Sequence, residues 1–199
     1  MSKKKEKVEL TYKNITISQI EQELKKEKFK SKYVKVLLST IYTLIIVASV
    51  AALIATFIMP VLQISGSSMS PTLEEGQIVV TLKTEKINKG DVIAFYHGNK
   101  ILIKRVIATS GNWVKITDEG DVYVDGKLIE EPYLEKKSIG QYDVEFPLQV
   151  SEGSYFILGD SRETSVDSRN AVIGCINKED IIGKVLFKVW PIKQIGVVK

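Results

Sequence analysis

Hydrophobic positions follow two different patterns along this chain. Over residues 36–59 (VLLSTIYTLIIVASVAALIATFIM) no residue is charged and no polar face recurs at a helical period. At 1.5 Å per residue a helix over this run reaches roughly 36 Å, more than the ~30 Å hydrocarbon thickness of a bilayer requires. Pro60 follows, and proline cannot continue helical hydrogen bonding. Core helices of soluble domains keep a polar face. The run therefore predicts one transmembrane helix over residues 36–60. A removable leader does not fit, because its apolar region is ~7–15 residues behind a short basic head, and here residues 1–35 come first.

Beyond residue 76 the apolar residues come in short β-branched and aromatic runs broken by turn residues. They predict strands over 77–82, 91–96, 101–108, 113–117, 121–124, 155–158 and 184–190. His97-Gly98-Asn99 and Asp125-Gly126 stand where hairpin turns are needed, and Asp-Gly suits a type I′ turn with two positive φ angles. Residues 130–153 are less regular and read as an excursion or a long hairpin. No repeat and no glycine-rich nucleotide loop is visible. The expected fold class is mainly β: one β-rich domain over residues 61–199 behind a single N-terminal transmembrane helix.

Charge adds an orientation. The net charge is +4, and residues 1–35 hold a lysine block: Lys3, Lys4, Lys5, Lys7, Lys13, Lys25, Lys26, Lys28, Lys30, Lys32 and Lys35. Lysines flanking a span mark its cytoplasmic side. This predicts a cytoplasmic N-terminal segment over 1–35, a single pass, and a domain outside the cytoplasmic membrane. The block is then accounted for by topology and by anionic phospholipid, so nucleic acid is not an expected partner. Residues 17–30 read equally as a lysine-rich helix on the membrane surface or as a tail. Cys175 is the only cysteine, which excludes an intrachain disulfide, and His97 is the only histidine. No metal site and no cofactor is expected.

Candidate chemistry begins at Lys100-Ile101-Leu102-Ile103-Lys104-Arg105-Val106-Ile107-Ala108. Strand residues alternate faces, so Lys104 shares one face with Leu102 and Val106, and Arg105 shares the other with Ile103 and Ile107. On the pattern alone the favoured reading is that both long side chains snorkel and leave their charges in water. Burial would have a chemical consequence. Desolvation lowers a lysine's pKa, and a neutral amine is a general base that can activate a serine hydroxyl. With one histidine in a turn, a serine–lysine dyad is the alternative to a histidine triad. A cluster of serines (Ser65, Ser67, Ser68, Ser70) stands just after the apolar run.

Four blocks carry a resemblance, in order behind the span. They are Gly66-Ser67-Ser68-Met69-Ser70-Pro71-Thr72-Leu73; Lys89-Gly90-Asp91-Val92-Ile93-Ala94-Phe95; Lys104-Arg105-Val106; and Gly159-Asp160-Ser161-Arg162-Glu163-Thr164-Ser165-Val166-Asp167-Ser168-Arg169. Together they resemble type I signal peptidases (leader peptidases) of the Gram-positive single-span kind, from the span nearly to the C-terminus.

The resemblance implies a signal-peptidase-like all-β catalytic domain. It implies an endopeptidase that removes signal peptides from exported preproteins at the outer membrane face, acting as a monomer. Ser68, just before the methionine, is the implied nucleophile and Lys104 the implied base. Ser165 is expected to hydrogen-bond the Lys104 amine. Asp167 and Arg169 are expected to pair and hold their loop, with Asp160 and Arg162 in structural roles. Small-residue selectivity at −1 and −3 would use Leu62, Ile64, Ser65, Leu102 and Ile103. Gly66 departs from two-span relatives, which carry an oxyanion-binding serine there. Residue 161 is serine where asparagine is common, and four residues separate Arg169 from Gly174 where many relatives have two.

Three other readings compete with this one. A self-cleaving repressor would need a DNA-binding domain. A sortase-like transpeptidase would need a reactive cysteine, and Cys175 lies in plain apolar sequence. A non-catalytic anchored β module of the export machinery would tolerate loss of Ser68.

Overall fold

The computed structural model describes residues 16–198. Lys3, Lys4, Lys5, Lys7 and Lys13 of the basic block lie outside the described residues. One helix, α1 (Ile17–Phe57), runs through both the remaining lysines and the apolar stretch. The expected boundary at residue 35 is therefore no break in secondary structure. The helix starts at a half capping box, in which the Thr16 N–H donates to Gln19 Oε1 at 3.0 Å. Glu23–Lys26 and Glu27–Lys30 pair one turn apart on its exposed surface. Within the apolar stretch the hydroxyls of Thr40, Thr43 and Ser49 donate to carbonyls four residues back, so none needs water. Among the described residues α1 is the one helix long and apolar enough to cross a membrane, and none of its residues is buried.

The remainder is β-rich, in two antiparallel sheets. The larger contains β1 (Val61–Gln63), β2 (Ile78–Leu82), β3 (Val92–His97), β4 (Lys100–Thr109), β9 (Ser154–Leu158), β10 (Ile176–Asn177), β11 (Ile181–Trp190) and β12 (Gly196–Val197). Its order is β1-β2-β11-β3-β4-β9-β10, with β12 on β11. The smaller contains β5 (Trp113–Ile116), β6 (Val122–Val124), β7 (Lys127–Leu128) and β8 (Leu148–Gln149), in the order β7-β6-β5-β8.

All seven expected strands form. Both expected turns form too: β3 and β4 close at His97↔Lys100, and β6 and β7 at Val124↔Lys127. Asp125 (φ 51) and Gly126 (φ 77) both take positive φ, as a type I′ turn demands. Residues 130–147 hold no strand and pack instead against the loop that follows β9.

Strand β4 has apolar residues on both faces because both are covered. Val106 joins a core with Ile87, Ile93, Phe95, Ile157 and Ile176. Ile107 and Ala108 join a second core, shared with Val114, Ile116, Val122 and Val124 of the smaller sheet. A third core holds Ile64, Met69, Leu73, Val79, Val92, Val185 and Val198, with Leu62 and Ile103 packed on it. Arg105 and Lys104 lie in the middle of this covered strand and are 2% and 3% exposed. Neither snorkels. Reading β4 alone gave the wrong environment, because the layers that cover it come from distant segments.

Candidate active site

The turn after β1 is anchored from beneath. Ser70 N–H donates to Ser67 O at 3.0 Å and Leu73 N–H to Met69 O at 2.8 Å. Met69 and Leu73 are buried in the core described above, which fixes the turn while Ser68 lines the cleft above it. Gly66 leaves β1 at φ +86, a left-handed conformation that a β-carbon disfavours.

Lys104 reaches the same point from β4. Its Nζ donates to Ser68 Oγ at 2.7 Å. Burial pushes the amine's pKa below the usual lysine value of 10.5. The nearby carboxylates of Asp167 and then Asp160 pull it back up, and Arg169 again lowers it. Desolvation is the largest of these effects, so the amine is biased toward its neutral form. In that form its lone pair can accept the Ser68 proton.

The cleft has a volume of about 180 Å³ and is lined by all five residues expected to form substrate pockets: Leu62, Ile64, Ser65, Leu102 and Ile103. Two open strand edges border it. Among the described residues β1 pairs only with β2, and β9 joins β4 only from Arg105 onward, leaving residues 100–104 without a strand partner on that side. An extended peptide can therefore add its backbone hydrogen bonds here.

The loop after β9 is a cage of buried ion pairs. Arg169 grips Asp167 with two bonds of 2.8 Å, as expected. Asp167 Oδ2 also accepts the Gly159 N–H at 2.9 Å. Asp160 is held by Arg105 through Nε at 2.8 Å and Nη2 at 2.7 Å. Next to it, the Ser161 N–H donates to the Ser68 carbonyl at 3.1 Å, which ties this loop to the serine turn.

Ser165 departs from expectation. It is buried, but its Oγ makes no hydrogen bond among the described residues, so the expected bond to Lys104 is not formed. Its side chain is packed against Gly159 instead.

Two residues escaped the sequence reading. Glu131 forms a buried ion pair with Arg162, including Nη1 to Oε2 at 3.1 Å. The Tyr133 hydroxyl donates to Glu131 Oε1 at 2.7 Å, and its ring lies 3.9 Å from the Arg105 guanidinium carbon. Both belong to the irregular excursion, where no periodicity marks an inward face. Cys175 is half-buried beside the second core. Burial raises its thiol pKa against a weaker opposing hydrogen bond with the Ser151 backbone, the reverse of what a thiolate nucleophile needs.

A serine hydroxyl on a buried amine, at the floor of an apolar cleft with open strand edges, gives this β domain the equipment of a serine hydrolase acting on extended peptides. The family model for signal peptidase, peptidase S26, matches residues 37–190. Signal peptidase IB of Staphylococcus aureus (strain Mu50) is 35% identical over 182 residues, covering 80% of this chain and 93% of that protein. Signal peptidase I of Bacillus licheniformis is 33% identical over 165 residues, covering 76% and 88%. A crystal structure of a signal peptidase I from Enterococcus faecalis V583 is 29% identical, covers 50% of this chain and 96% of that one, and superposes with a TM-score of 0.43. The chain belongs to the signal peptidase family, peptidase S26.

Proposed function

We propose that this protein is a membrane-anchored serine endopeptidase that removes signal peptides from exported preproteins, with Ser68 as nucleophile and Lys104 as general base. The observation that carries the reading is the 2.7 Å contact between Ser68 Oγ and the buried Lys104 Nζ inside the cleft. The preprotein lies extended along the open edges of β1 and β4, with small residues at −1 and −3 over Leu62, Ile64, Ser65, Leu102 and Ile103. Ser68 Oγ attacks the scissile carbonyl as neutral Lys104 takes its proton. The tetrahedral oxyanion rests on the Ser68 N–H, a backbone donor of the kind that stabilises developing charge.

Collapse passes the proton from Lys104 to the leaving amine and leaves a seryl ester. Water, deprotonated by Lys104, then frees the signal peptide's new C-terminus. Asp167 and Arg169 hold the loop that flanks the amine, and Ser165 belongs to the same wall.

Residues 36–60, which α1 carries as far as Phe57, cross the cytoplasmic membrane once, with residues 1–35 inside and 61–199 outside, and the protein acts as a monomer. Only a short stretch separates the end of α1 from Ser68, so enzyme and tethered preprotein meet on one membrane at high effective concentration. A non-catalytic module gains nothing from burying an ammonium-forming group, which costs stability unless its charge is lost.

The test uses the full chain in phospholipid vesicles with a preprotein, reading the mature product by mass. Ser68→Ala and Lys104→Ala each abolish cleavage without changing the melting profile in a way that signals unfolding. Intact cleavage by either variant rejects the assignment of that residue.

A further inference from the structure

The excursion over 130–147 is more than a surface insertion. Three buried arginines of the domain, Arg105, Arg162 and Arg169, each touch it. Tyr133 covers the Arg105 guanidinium at 3.9 Å. Glu131 pairs with Arg162. Arg169 Nη1 donates to Ile139 O at 2.6 Å. The excursion also returns a hydrogen bond, from the Asp143 N–H to Arg169 O at 3.0 Å. Such convergence on guanidinium groups is unlike a solvated loop, and one of these contacts lies a single residue from the amine.

We propose that Tyr133, held by Glu131, is a positioning residue for the Lys104 amine, acting through Arg105. This rests on the proteolytic reading above. The path is short. Lys104 and Arg105 are neighbours on β4, where side chains leave opposite faces, so the backbone they share and the groups that Arg105 holds, Thr72 and Asp160, are what link the two. Arg105 is fixed on three sides: Asp160 at 2.7 and 2.8 Å, Gly90 O at 2.8 Å and Thr72 Oγ1 at 3.3 Å.

The face of the guanidinium is what these in-plane bonds leave to the Tyr133 ring, which a cation attracts through its quadrupole. Thr72 belongs to the Ser68 turn, and Asp160 precedes Ser161, whose N–H holds the Ser68 carbonyl. The guanidinium thus ties together the nucleophile's turn, the loop after β9 and the base's own strand, and Tyr133 closes it from the side.

The phenol suits this role. Its burial, with the Glu131 carboxylate beside it, pushes its pKa up, so the hydroxyl stays protonated and keeps donating to Glu131. The charged groups around Lys104 are Asp167, Asp160 and Arg169 from the loop after β9 and Arg105 on its own strand. Tyr133 adds no charge there. Its effect is to keep Arg105, and with it Asp160, in place and water out.

The test compares Tyr133→Phe and Tyr133→Leu in the full chain in vesicles, with a fluorogenic peptide carrying an Ala-x-Ala site, across pH. Phenylalanine keeps the ring on the guanidinium and retains kcat within about threefold, whereas leucine removes the ring and lowers kcat about tenfold to a hundredfold, as small misplacements of a catalytic group do. KM stays nearly constant, since the cleft walls are untouched. The acid limb of the pH–rate profile moves to higher pH in the leucine variant, because a more hydrated Lys104 holds its proton longer.

Should Tyr133→Leu not fold, Arg105→Lys reads the same link. It keeps a positive charge beside Asp160 but removes the planar face, and the limb moves in the same direction. A limb that stays at its wild-type pH in a folded Tyr133→Leu or Arg105→Lys protein overturns the proposal. Cleavage by Ser68→Ala overturns the proteolytic reading instead, so the two failures are distinct.

Discussion

Gly159 lies against Ser165 with no room for a methyl group between them. A β-carbon on residue 159 would overlap the Ser165 hydroxyl and stand 2.5 Å from the Ser68 carbonyl oxygen. One neighbour is a packed side chain and the other is the backbone of the proposed nucleophile. Gly159→Ala must therefore push Ser68 or the loop aside. Overpacking of this kind costs ~1–3 kcal/mol, and a displaced nucleophile loses on the order of 10²-fold in rate. Thermal unfolding and peptide cleavage, measured on one preparation, check both. A variant with wild-type kcat would show that the turn has slack enough to absorb the added carbon.

Lys104 gives opposite signs for stability and activity. Its folded pKa lies below 10.5, so between that pKa and the unfolded value the unfolded chain binds more protons. Stability therefore rises with pH across this window and is lowest below the folded pKa. Lys104→Met removes the desolvated group. It is expected to abolish cleavage while raising the melting temperature at pH 7, with the gain shrinking as pH approaches 10. Melting scans at the two pH values decide this; a less stable methionine variant at pH 7 contradicts it.

The same shift sets the wild-type rate profile. In the proposed mechanism cleavage needs the neutral amine, so the rate is expected to climb with pH through the folded pKa of Lys104, below the ordinary lysine value of 10.5. A stopped-time peptide assay over pH 5–10 locates the rise. If the rate began to climb only near pH 10.5, burial would not be tuning this base.

Asp160 and Arg105 form a pair that is 1% and 2% exposed in its side chains. Asp160→Ala leaves a guanidinium buried without its carboxylate, which costs about 3–5 kcal/mol. Replacing both partners by apolar residues, Arg105→Met with Asp160→Leu, restores much of that stability but not the cleavage rate. Chemical denaturation of the single and double variants measures the difference. Equal losses in both would place the energy in packing rather than in the broken pair.

The cleft predicts its own selectivity. Ile103 lines it and also packs on the core beneath Ser68. Ile103→Ala enlarges a cavity of about 180 Å³ and is expected to narrow the preference for alanine over valine at −1 by about tenfold, the order of effect that one or two methylenes have in an apolar pocket. Competition between the two peptides gives the ratio directly. An unchanged ratio removes Ile103 from the specificity wall.

Much of this protein can be read along the chain. The long apolar run, the seven principal strands and both glycine turns come from local chemistry: period, β-branching and the φ angles that glycine and aspartate accept. Ser68 and Lys104 were found from their motifs, and their 2.7 Å contact agrees with the pairing those motifs implied. The five other strands, β1, β7, β8, β10 and β12, left no trace in the sequence, since two or three residues without a flanking β-rich run or turn signal show no pattern and only their partners hold them extended. Burial of Lys104 and Arg105 cannot be read from the β4 pattern alone, for a related reason. Exposure on a strand depends on what lies above and below it, and here those layers arrive from residues 64–95, 113–124 and 131–176. Glu131 and Tyr133 were invisible because an irregular segment has no face until a cation gives it one. Local preference thus wrote the elements and the reacting groups, whereas the low dielectric around the amine and the arginine cage that surrounds it exist only once distant segments exclude water together.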